Sequence, residues 1–267
     1  MSNIIRHNLK AGTIWEGDWL QAPLEPGYTM AEVDGPYALK KAAWDRMNMD
    51  GLADWYVPHL ERLTSLMLPS SSVYLWNTAE GWARLDPVMR GMGWRFSTLI
   101  VWHKTGGNPA LISAKTAGKW PDVTEVCGHY MRGKAHHKGD GTPNVWALGP
   151  VADMRDERLT TGEKTERTFG SRLCDEPLHP CQKPLLFAER MVQASTRPGD
   201  RVLVPFGGTC RIATYLERLR RMEPENARYH DTCELNQDGK DYLGAVLGRM
   251  GEDTGRAGQQ RLFGGSK

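Results

Sequence analysis

Two turns in the sequence combine residue types that could bind or activate an organic substrate. The first is Asp34-Gly35-Pro36-Tyr37, where a carboxylate stands beside a rigid turn and an aromatic ring. A carboxylate can accept a hydrogen bond from an amino group, and a tyrosine ring can stack on a planar heterocycle. As an isolated tetrapeptide, the same residues are typical of a β-turn with proline.

The second turn is Pro205-Phe206-Gly207-Gly208-Thr209, which follows an apolar run ending at Val204. A strand that ends in glycines and opens a helix lets the backbone approach a ligand and points amides at it. About 25 residues farther along, Glu234 ends the next apolar run, where a carboxylate can accept hydrogen bonds from ribose hydroxyls. The pair indicates a nucleoside-bearing cofactor, although adjacent glycines also occur in plain turns.

The elements that position these turns alternate between short apolar runs and longer amphipathic stretches. We predict strands at 29–33, 73–76, 96–102, 125–131, 201–204 and 230–235, and helices at 55–68, 79–90, 184–194, 207–221 and 238–249. Pro69–Ser72 is expected to close the first helix, and 133–177 to form a long loop. The alternation predicts an α/β fold, a mostly parallel sheet with helices on both faces, which binds ligands at the carboxyl ends of its strands.

Length and composition favour a folded domain of ordinary character. The chain has 267 residues, 40% of them hydrophobic and 25% charged, which suits one large domain or one domain with an appendage. It contains no apolar stretch near the roughly 20 residues that span a bilayer, and its N-terminus lacks the apolar core of a secretory signal. We therefore expect a cytoplasmic protein.

The five cysteines are an odd number without a CxxC pair, which argues against a disulfide framework and a zinc ribbon. Cys174, His179 and Cys181 lie close together, but their spacing does not match common structural metal sites. We therefore expect no metal.

A net charge of +2 does not by itself indicate a nucleic-acid partner. The segment from Lys104 to Lys138 is locally basic, and we predict phosphate contacts from Lys104, Arg132, Lys134 and Lys138. Ordinary surface lysines of a solvated loop would give the same pattern.

The order of the motifs resembles that of the beta-class S-adenosylmethionine-dependent DNA amino-methyltransferases, of the N6-adenine or N4-cytosine type. The resemblance rests on Asp34–Tyr37, a polar region, His179-Pro-Cys-Gln-Lys-Pro184, Val204–Thr209 and Cys233–Asn236, and it extends from about Gly17 to Met250. It implies a Rossmann-like fold with circularly permuted motif order. Residues 1–132 would form the catalytic half, 133–178 the variable target-recognition region, 179–250 the cofactor-binding half and 251–267 a flexible tail.

The resemblance also implies roles for individual residues. Asp34 and the Gly35 carbonyl would accept the amino hydrogens of a flipped base, with Pro36 in the turn and Tyr37 stacked on the base. The cofactor-binding residues would be Asp18 near the adenine, Lys183 near the methionine carboxylate, Glu234 on the ribose, and Phe206, Gly207, Gly208 and Thr209 in the glycine loop. Asp rather than Ser at position 34 favours adenine N6 over cytosine N4.

Three positions depart from the family's pattern. Gly35 replaces a proline, Val204 replaces an acid and Cys210 replaces a glycine that lets the cofactor approach. Three alternatives therefore stand beside an adenine-N6 enzyme: a weak or inactive DNA-binding relative, an N4-cytosine enzyme and an RNA methyltransferase.

The expected partner is double-stranded DNA, and a homodimer would extend a short recognition region. Gln259-Gln-Arg-Leu-Phe263 resembles the peptide with which bacterial proteins dock on the replicative sliding clamp. A disordered tail with incidental apolar residues is the alternative interpretation. The motif set is typical of a bacterial or phage-encoded protein.

Overall fold

The computed structural model describes residues 4–39, 45, 47–104, 118, 120, 123–148, 182–235, 243, 244, 246, 247, 250 and 259–261. Its strands are β1 (Ile5–Asn8), β2 (Gly12–Glu16), β3 (Tyr28–Val33), β4 (Met67–Asn77), β5 (Arg95–Lys104), β6 (Thr124–Arg132), β7 (Val145–Leu148), β8 (Arg201–Val204), β9 (Tyr229–Glu234) and β10 (Gln259–Arg261). Its helices are α1 (Leu52–Leu66), α2 (Ala79–Gly91), α3 (Leu185–Ser195) and α4 (Arg211–Met222). Short 3-10 turns cover Trp19–Gln21, Met49–Gly51 and Pro224–Asn226.

The described strands form one sheet in the order β10-β1-β2-β9-β8-β3-β4-β6-β5-β7. Strands β2, β9, β8, β3 and β4 are mutually parallel neighbours, and β7 is parallel to β5. Among the described strands, β1 and β6 alone run opposite to the rest, since each pairs antiparallel with both of its neighbours. The predicted mostly parallel sheet is confirmed.

Both faces of this sheet are covered, as the sequence predicts. Along β4, Val73 and Leu75 pack with α1 and α2 in one apolar cluster, whereas Tyr74 and Trp76 pack with α3 and α4 in another. Alternate residues of a strand point to opposite faces, so a strand buried on both sides is apolar at successive positions. The helices follow the same logic: Leu52, Tyr56, Leu60 and Leu63 form the buried stripe of α1.

Two local predictions are wrong. Pro69–Ser72 does not close α1 as a turn, because these residues belong to β4, where Ser71 and Ser72 pair with Arg132 and Met131 of β6. The segment 133–177 is not loop throughout, since Val145–Leu148 form β7 beside β5; residues 149–181 lie outside the described part of the chain.

The C-terminal region also differs from expectation. Part of the tail predicted to be flexible, Gln259–Arg261, pairs with β1 in the sheet. The helix predicted at 238–249 is only partly described: Leu243, Val246 and Met250 are helical and pack against Ile14 and Cys210. No helix in the described ranges has the length and apolar character needed to cross a bilayer.

Candidate active site

The motif residues gather at one edge of the sheet. Asp34 follows the last residue of β3, Phe206 lies just beyond β8, and Glu234 ends β9. Because these strands are parallel, their carboxyl ends lie at the same edge, where α/β sheets bind ligands. Asp18 joins them, since Glu16 at the end of β2 is paired with Glu234 and the amide of Gly17 donates to the Glu234 carbonyl (2.8 Å).

Asp34 and Tyr37 are joined by the buried ammonium of Lys183. Its Nζ lies 2.9 and 2.8 Å from the two carboxylate oxygens of Asp34 and donates to the Tyr37 hydroxyl oxygen (3.1 Å). The Tyr37 hydroxyl in turn donates to Asp34 Oδ1 (2.7 Å). Lys183 lies two residues before the first residue of α3. The segment leading into that helix therefore supplies the positive charge that pairs with the Asp34 carboxylate.

Glu125 completes the group from the amino end of β6. Its Oε2 accepts from Lys183 (3.1 Å) and lies 3.4 Å from the Tyr37 hydroxyl, while its Oε1 accepts from Lys104. The Lys183 ammonium also lies 5.0 Å from the centre of the Trp76 ring, close enough for a cation–π contact. Two ammoniums and two carboxylates therefore balance in one largely buried group beside the rings of Tyr37 and Trp76.

The charges of this group control its protonation. Burial disfavours an ammonium, but the carboxylates of Asp34 and Glu125 raise the pKa of Lys183 well above its ordinary value. Burial alone would raise the pKa of Glu125, but Lys183 and Lys104 hold it below its ordinary value. Burial and the two nearby carboxylates raise the pKa of Tyr37, so its hydroxyl remains a hydrogen-bond donor at neutral pH.

Glu32 lies below this group on β3 and behaves differently. Burial, followed by the charge of Asp34, raises the pKa of Glu32 to about 8. Glu32 is therefore mostly protonated at neutral pH and adds no full negative charge beneath Asp34.

The turn after β3 is held from two sides. The Tyr56 hydroxyl donates to the Pro36 carbonyl (3.2 Å). A Cβ on Gly35 would lie 2.6 Å from that hydroxyl and 3.1 Å from Phe206 Cε2, which explains why glycine replaces proline at this position. On the far side, the buried Asp45 carboxylate accepts from the amide of Ala38, whose φ of 58° is strained for a residue with a side chain.

The glycine loop is tied to Glu234. The amide of Gly208 donates to Glu234 Oε2 (2.5 Å), and the amide of Gly207 donates to the Cys233 carbonyl (2.7 Å). Gly208 has a φ of 51°, and no atom lies within 4 Å of where its Cβ would be. The helix predicted from Gly207 begins at Arg211, because the loop from Gly207 to Cys210 contains two residues of positive φ.

Cys210 and Val204 occupy buried positions behind this loop. Cys210 has the left-handed conformation (φ 54°) in which glycine is favoured, yet its side chain is fully buried among Ile14, Ala213 and Met250. The side chain therefore packs in the core, and its Sγ lies 3.8 Å from the Gly208 carbonyl oxygen of the loop. Val204 is likewise buried in the apolar cluster of α3 and α4. Thr209, which precedes Cys210, is also buried.

Phe206 belongs to an aromatic cluster beside Asp18. Its ring centre lies 5.8 Å from Trp55, 5.5 Å from His59 and 6.2 Å from Trp19. Trp19 Nε1 donates to His59 Nδ1 (2.7 Å), and burial lowers the pKa of His59 to about 4. Asp18 caps the 3-10 turn by accepting from the Leu20 amide (3.0 Å), so the sequence places an anchored carboxylate next to planar rings.

The predicted phosphate-binding residues separate in the structure. Lys104 lies in the site, bound to Glu125. Arg132, in contrast, lies at the other end of β6, where it pairs with Ser71 and its side chain covers Trp94. From Val126 to Arg132 the strand advances about 20 Å, so Arg132 and the following Lys134 lie at the opposite edge of the sheet. Lys138, whose amide donates to the Ala194 carbonyl at the end of α3, lies with them.

The placement of Lys183 also changes its interpretation. It was predicted beside the methionine carboxylate of the cofactor, but its described partners are Asp34, Tyr37 and Glu125. No group of three or more His, Cys, Asp or Glu side chains suited to a metal ion occurs in the described ranges. Cys174, His179 and Cys181 lie outside those ranges.

Comparison with known proteins identifies the family. The family model described as DNA methylase matches residues 28–244. This chain belongs to the DNA methylase family. It is similar to the type II methyltransferase M.BglII of Bacillus subtilis (26% identical over 216 residues, covering 70% of this chain and 56% of that protein). It is also similar to the type II methyltransferase M.HpaI of Haemophilus parainfluenzae (24% identical over 206 residues, covering 70% of this chain and 60% of that protein). It thus spans less than two thirds of the length of these relatives.

Solved structures share the fold of this chain. The PvuII DNA methyltransferase, described as cytosine-N4-specific, superimposes with a TM-score of 0.67 at 14% identity and covers 91% of this chain and 87% of its own. A complex of M1.HpyAVI with S-adenosylmethionine has a TM-score of 0.56 at 16% identity, covering 88% and 98%. At 14% and 16% identity, these two structures show that the fold is shared.

Sequence reasoning missed Glu125, the ring cluster around Phe206 and the bracing tyrosine, Tyr56. Glu125 had a weak signal, since it is an acid inside a basic segment. Trp55, Tyr56 and His59 are spaced for one side of α1, but nothing in the sequence says that this side reaches the glycine loop.

Proposed function

We propose that this DNA methylase transfers a methyl group from S-adenosylmethionine to the exocyclic amine of a base in DNA, with adenine N6 as the target. The observation that carries the proposal is the ion pair of Lys183 and Asp34 at the sheet edge that also bears Gly208 and Glu234. A group able to hold an amine and a loop able to hold a nucleoside thus open on the same edge.

The residues around the glycine loop fit such a cofactor. Gly208 leaves open space where a side chain would stand, and Glu234 ends the adjoining strand. Glu234 would accept hydrogen bonds from the ribose hydroxyls, Asp18 would accept from the adenine amine, and Phe206 would pack on the ring system. S-adenosylmethionine supplies an electrophilic methyl group on a positively charged sulfur.

The linked side chains of Asp34, Tyr37, Lys183 and Glu125, here called the Asp34 group, would activate the exocyclic amine of the base. An exocyclic amine is a poor nucleophile because its lone pair is delocalised into the base. Hydrogen bonds from its N–H groups to the Asp34 carboxylate and the Gly35 carbonyl favour a pyramidal nitrogen and stabilise the positive charge that develops there. The Asp34 carboxylate is suited to this role because the Lys183 ammonium lies 2.8 Å from it and fixes its position.

Tyr37 would hold the base by its ring face. Its hydroxyl is fixed between Asp34 and Lys183, so the orientation of the ring is set before a base arrives. A base inside a duplex cannot reach this edge, so the base must be flipped out of the stack.

Recognition of the DNA site is proposed for residues 133–178, most of which lie outside the described ranges. A homodimer and docking of Gln259–Phe263 on a sliding clamp remain predictions. In the described backbone, Gln259–Arg261 pair with β1, so clamp docking would have to release that strand.

The test is methyl transfer from labelled S-adenosylmethionine to duplex DNA, followed by digestion and mass spectrometry of the nucleosides. We expect N6-methyladenine from the wild type and a loss of at least about a hundredfold in kcat for Asp34→Asn, which keeps the shape but removes the charge. Asp50→Asn, at an exposed carboxylate 86% accessible to solvent, is the matched control.

Other outcomes distinguish the alternatives. N4-methylcytosine as the product would show that the target base is cytosine rather than adenine. Transfer to RNA in preference to duplex DNA would show that the substrate is RNA. Cofactor binding without transfer to either would identify an inactive DNA-binding relative. If calorimetry detects no binding of S-adenosylmethionine, the proposal is wrong.

A further inference from the structure

Glu125 occupies a position that the direction of β6 makes possible. Because β6 runs antiparallel to β4, its amino end lies at the edge where β3 and β4 finish. Glu125, the second residue of β6, therefore reaches Tyr37 and Lys183 from the amino end of its strand. Its side chain is 13% exposed, so its charge is largely shielded from water.

The two oxygens of Glu125 serve two different lysines. Oε1 accepts from Lys104 and Oε2 accepts from Lys183 (3.1 Å). An ammonium has three N–H donors, and those of Lys183 are matched by Asp34, Tyr37 and Glu125. Glu125 is thus the link through which Lys104 and the Asp34 group form one network.

The charge balance of this network depends on Glu125. With Glu125 ionised, Lys104 and Lys183 are opposed by two carboxylates. Without its charge, two ammoniums in a low-dielectric pocket would be opposed by Asp34 alone. The Asp34 carboxylate would then be drawn more strongly toward Lys183 and would become a weaker acceptor for another donor.

We propose that Glu125 is a positioning residue for methyl transfer, sharing Lys183 with Asp34 so that the Asp34 carboxylate remains available to the base amine. The proposal rests on the proposed function. It differs from a purely structural role, in which Glu125 would merely hold β5 and β6 together through Lys104.

The first test compares kcat for the wild type, for Glu125→Gln and for the double variant Lys104→Met, Glu125→Gln, at saturating DNA and S-adenosylmethionine. Glu125→Gln keeps the shape of the side chain and should lower kcat by about 10- to 100-fold, the effect of one buried charge-assisted contact. The affinity for S-adenosylmethionine should stay within about threefold, because Glu125 contacts the Asp34 group rather than the glycine loop.

The double variant Lys104→Met, Glu125→Gln restores the balance of one ammonium and one carboxylate. It should recover at least about half of the lost kcat on a logarithmic scale relative to Glu125→Gln. A double variant as slow as or slower than Glu125→Gln would contradict the proposal, as would a wild-type kcat for Glu125→Gln. Glu61→Gln, at an exposed position of α1, is the matched control.

If Glu125→Gln does not fold, Glu125→Asp tests the same point, because the charge is kept but the shorter side chain cannot reach both lysines. We then expect a kcat between those of the wild type and Asp34→Asn. A kcat equal to that of the wild type would overturn the proposal.

The second test does not depend on methyl transfer. Acetic anhydride modifies deprotonated, accessible lysines, and mass spectrometry gives the rate at each position. Lys183 should react far more slowly than exposed Lys134 in the wild type, and Glu125→Gln should raise its relative rate by at least about tenfold as the lysine loses a partner. An unchanged rate would show that Glu125 does not control Lys183. A wild type that folds and shows this protection but methylates nothing would refute the proposed function instead.

Discussion

The ammonium of Lys183 lies 2.8 Å from a carboxylate oxygen of Asp34, although the two residues are 149 positions apart in the chain. Asp34 follows a strand that precedes α1, whereas Lys183 precedes α3 on the other face of the sheet. The contact therefore joins the segment that holds the tetrapeptide to the segment that leads into α3. Folding of both is required before Asp34 acquires its partner.

The ion pair between Lys183 and Asp34 fixes both the charge distribution and the geometry of the site before a ligand binds. Lys183 is 6% exposed, so water screens its pairing with Asp34 weakly. Tyr37 lies within the same contacts. A ligand amine that reaches Asp34 would meet a carboxylate already oriented by these contacts.

Glu234 offers a direct test of the cofactor loop. Glu234→Gln retains an oxygen that can accept from the Gly208 amide but removes the charge that would bind hydroxyl groups. We expect the Kd for S-adenosylmethionine, measured by calorimetry, to rise by about tenfold or more, with kcat at saturating cofactor close to that of the wild type. The exposed Glu225→Gln serves as control, and equal affinities for the two variants would remove Glu234 from the cofactor site.

The sequence was sufficient to predict the arrangement of Asp34, Phe206 and Glu234, because each follows an apolar run and parallel strands end at one edge. The same rule does not predict a site residue at Glu125. It predicts ligand-binding residues at carboxyl ends, whereas Glu125 is at the amino end of an antiparallel strand. Strand direction depends on pairing with β4 and β5, which the local pattern of β6 does not encode.

Pro69–Ser72 and Tyr56 illustrate two further limits. Proline followed by serines is a local signal for a loop, but the pairing of Ser71 and Ser72 with β6, and of Ser72 with β3, overrides it. Tyr56 looks like a core residue of α1, and its role at the tetrapeptide depends on where that helix packs. Tertiary contacts, not residue types, decide both cases.

Gly35 and Tyr56 should be energetically coupled. Gly35→Ala would place a Cβ 2.6 Å from the Tyr56 hydroxyl, and we expect overpacking to lower the free energy of unfolding by about 2 kcal/mol. Tyr56→Phe alone removes the bond to the Pro36 carbonyl and should cost about 1 kcal/mol.

In the double variant Gly35→Ala, Tyr56→Phe, the clash with the hydroxyl is absent, so the combined loss should be smaller than the sum of the single losses. Urea unfolding of the four proteins gives the coupling. Strict additivity would mean that the hydroxyl does not determine the need for glycine at this position.

Cys210 should tolerate replacement by glycine better than by valine. Glycine relieves the left-handed backbone (φ 54°) but gives up the buried side chain, and since each effect is about 1 kcal/mol the net change in stability should be small. Valine is β-branched and strained at this φ, so Cys210→Val should lose about 2–3 kcal/mol. Unfolding curves measure both.

The affinity of the Cys210→Gly variant for S-adenosylmethionine should equal that of the wild type, because the thiol is fully buried in the core and contacts the loop through the Gly208 carbonyl, 3.8 Å from Sγ. A marked gain in affinity would show instead that the cysteine obstructs the cofactor.

His129 should make the fold sensitive to acid. Its ring is stacked on Tyr74 with centres 4.5 Å apart, and its Nε2 is buried without a hydrogen-bond partner. Burial lowers the pKa of His129 from 6.5 to about 3, and the neighbouring His137 acts in the same direction. The folded state therefore disfavours the proton that the unfolded state accepts.

The sign of the pH dependence follows from that shift. Stability associated with neutral His129 is fully present above pH 6.5 and is lost as the pH falls toward 3. By pH 4 the loss should reach about 3 kcal/mol.

His129→Phe keeps a ring against Tyr74 but cannot bind a proton, so its free energy of unfolding should fall less steeply between pH 6.5 and 4 than that of the wild type. Parallel slopes for wild type and His129→Phe in urea titrations across this range would mean that His129 accepts its proton without unfolding.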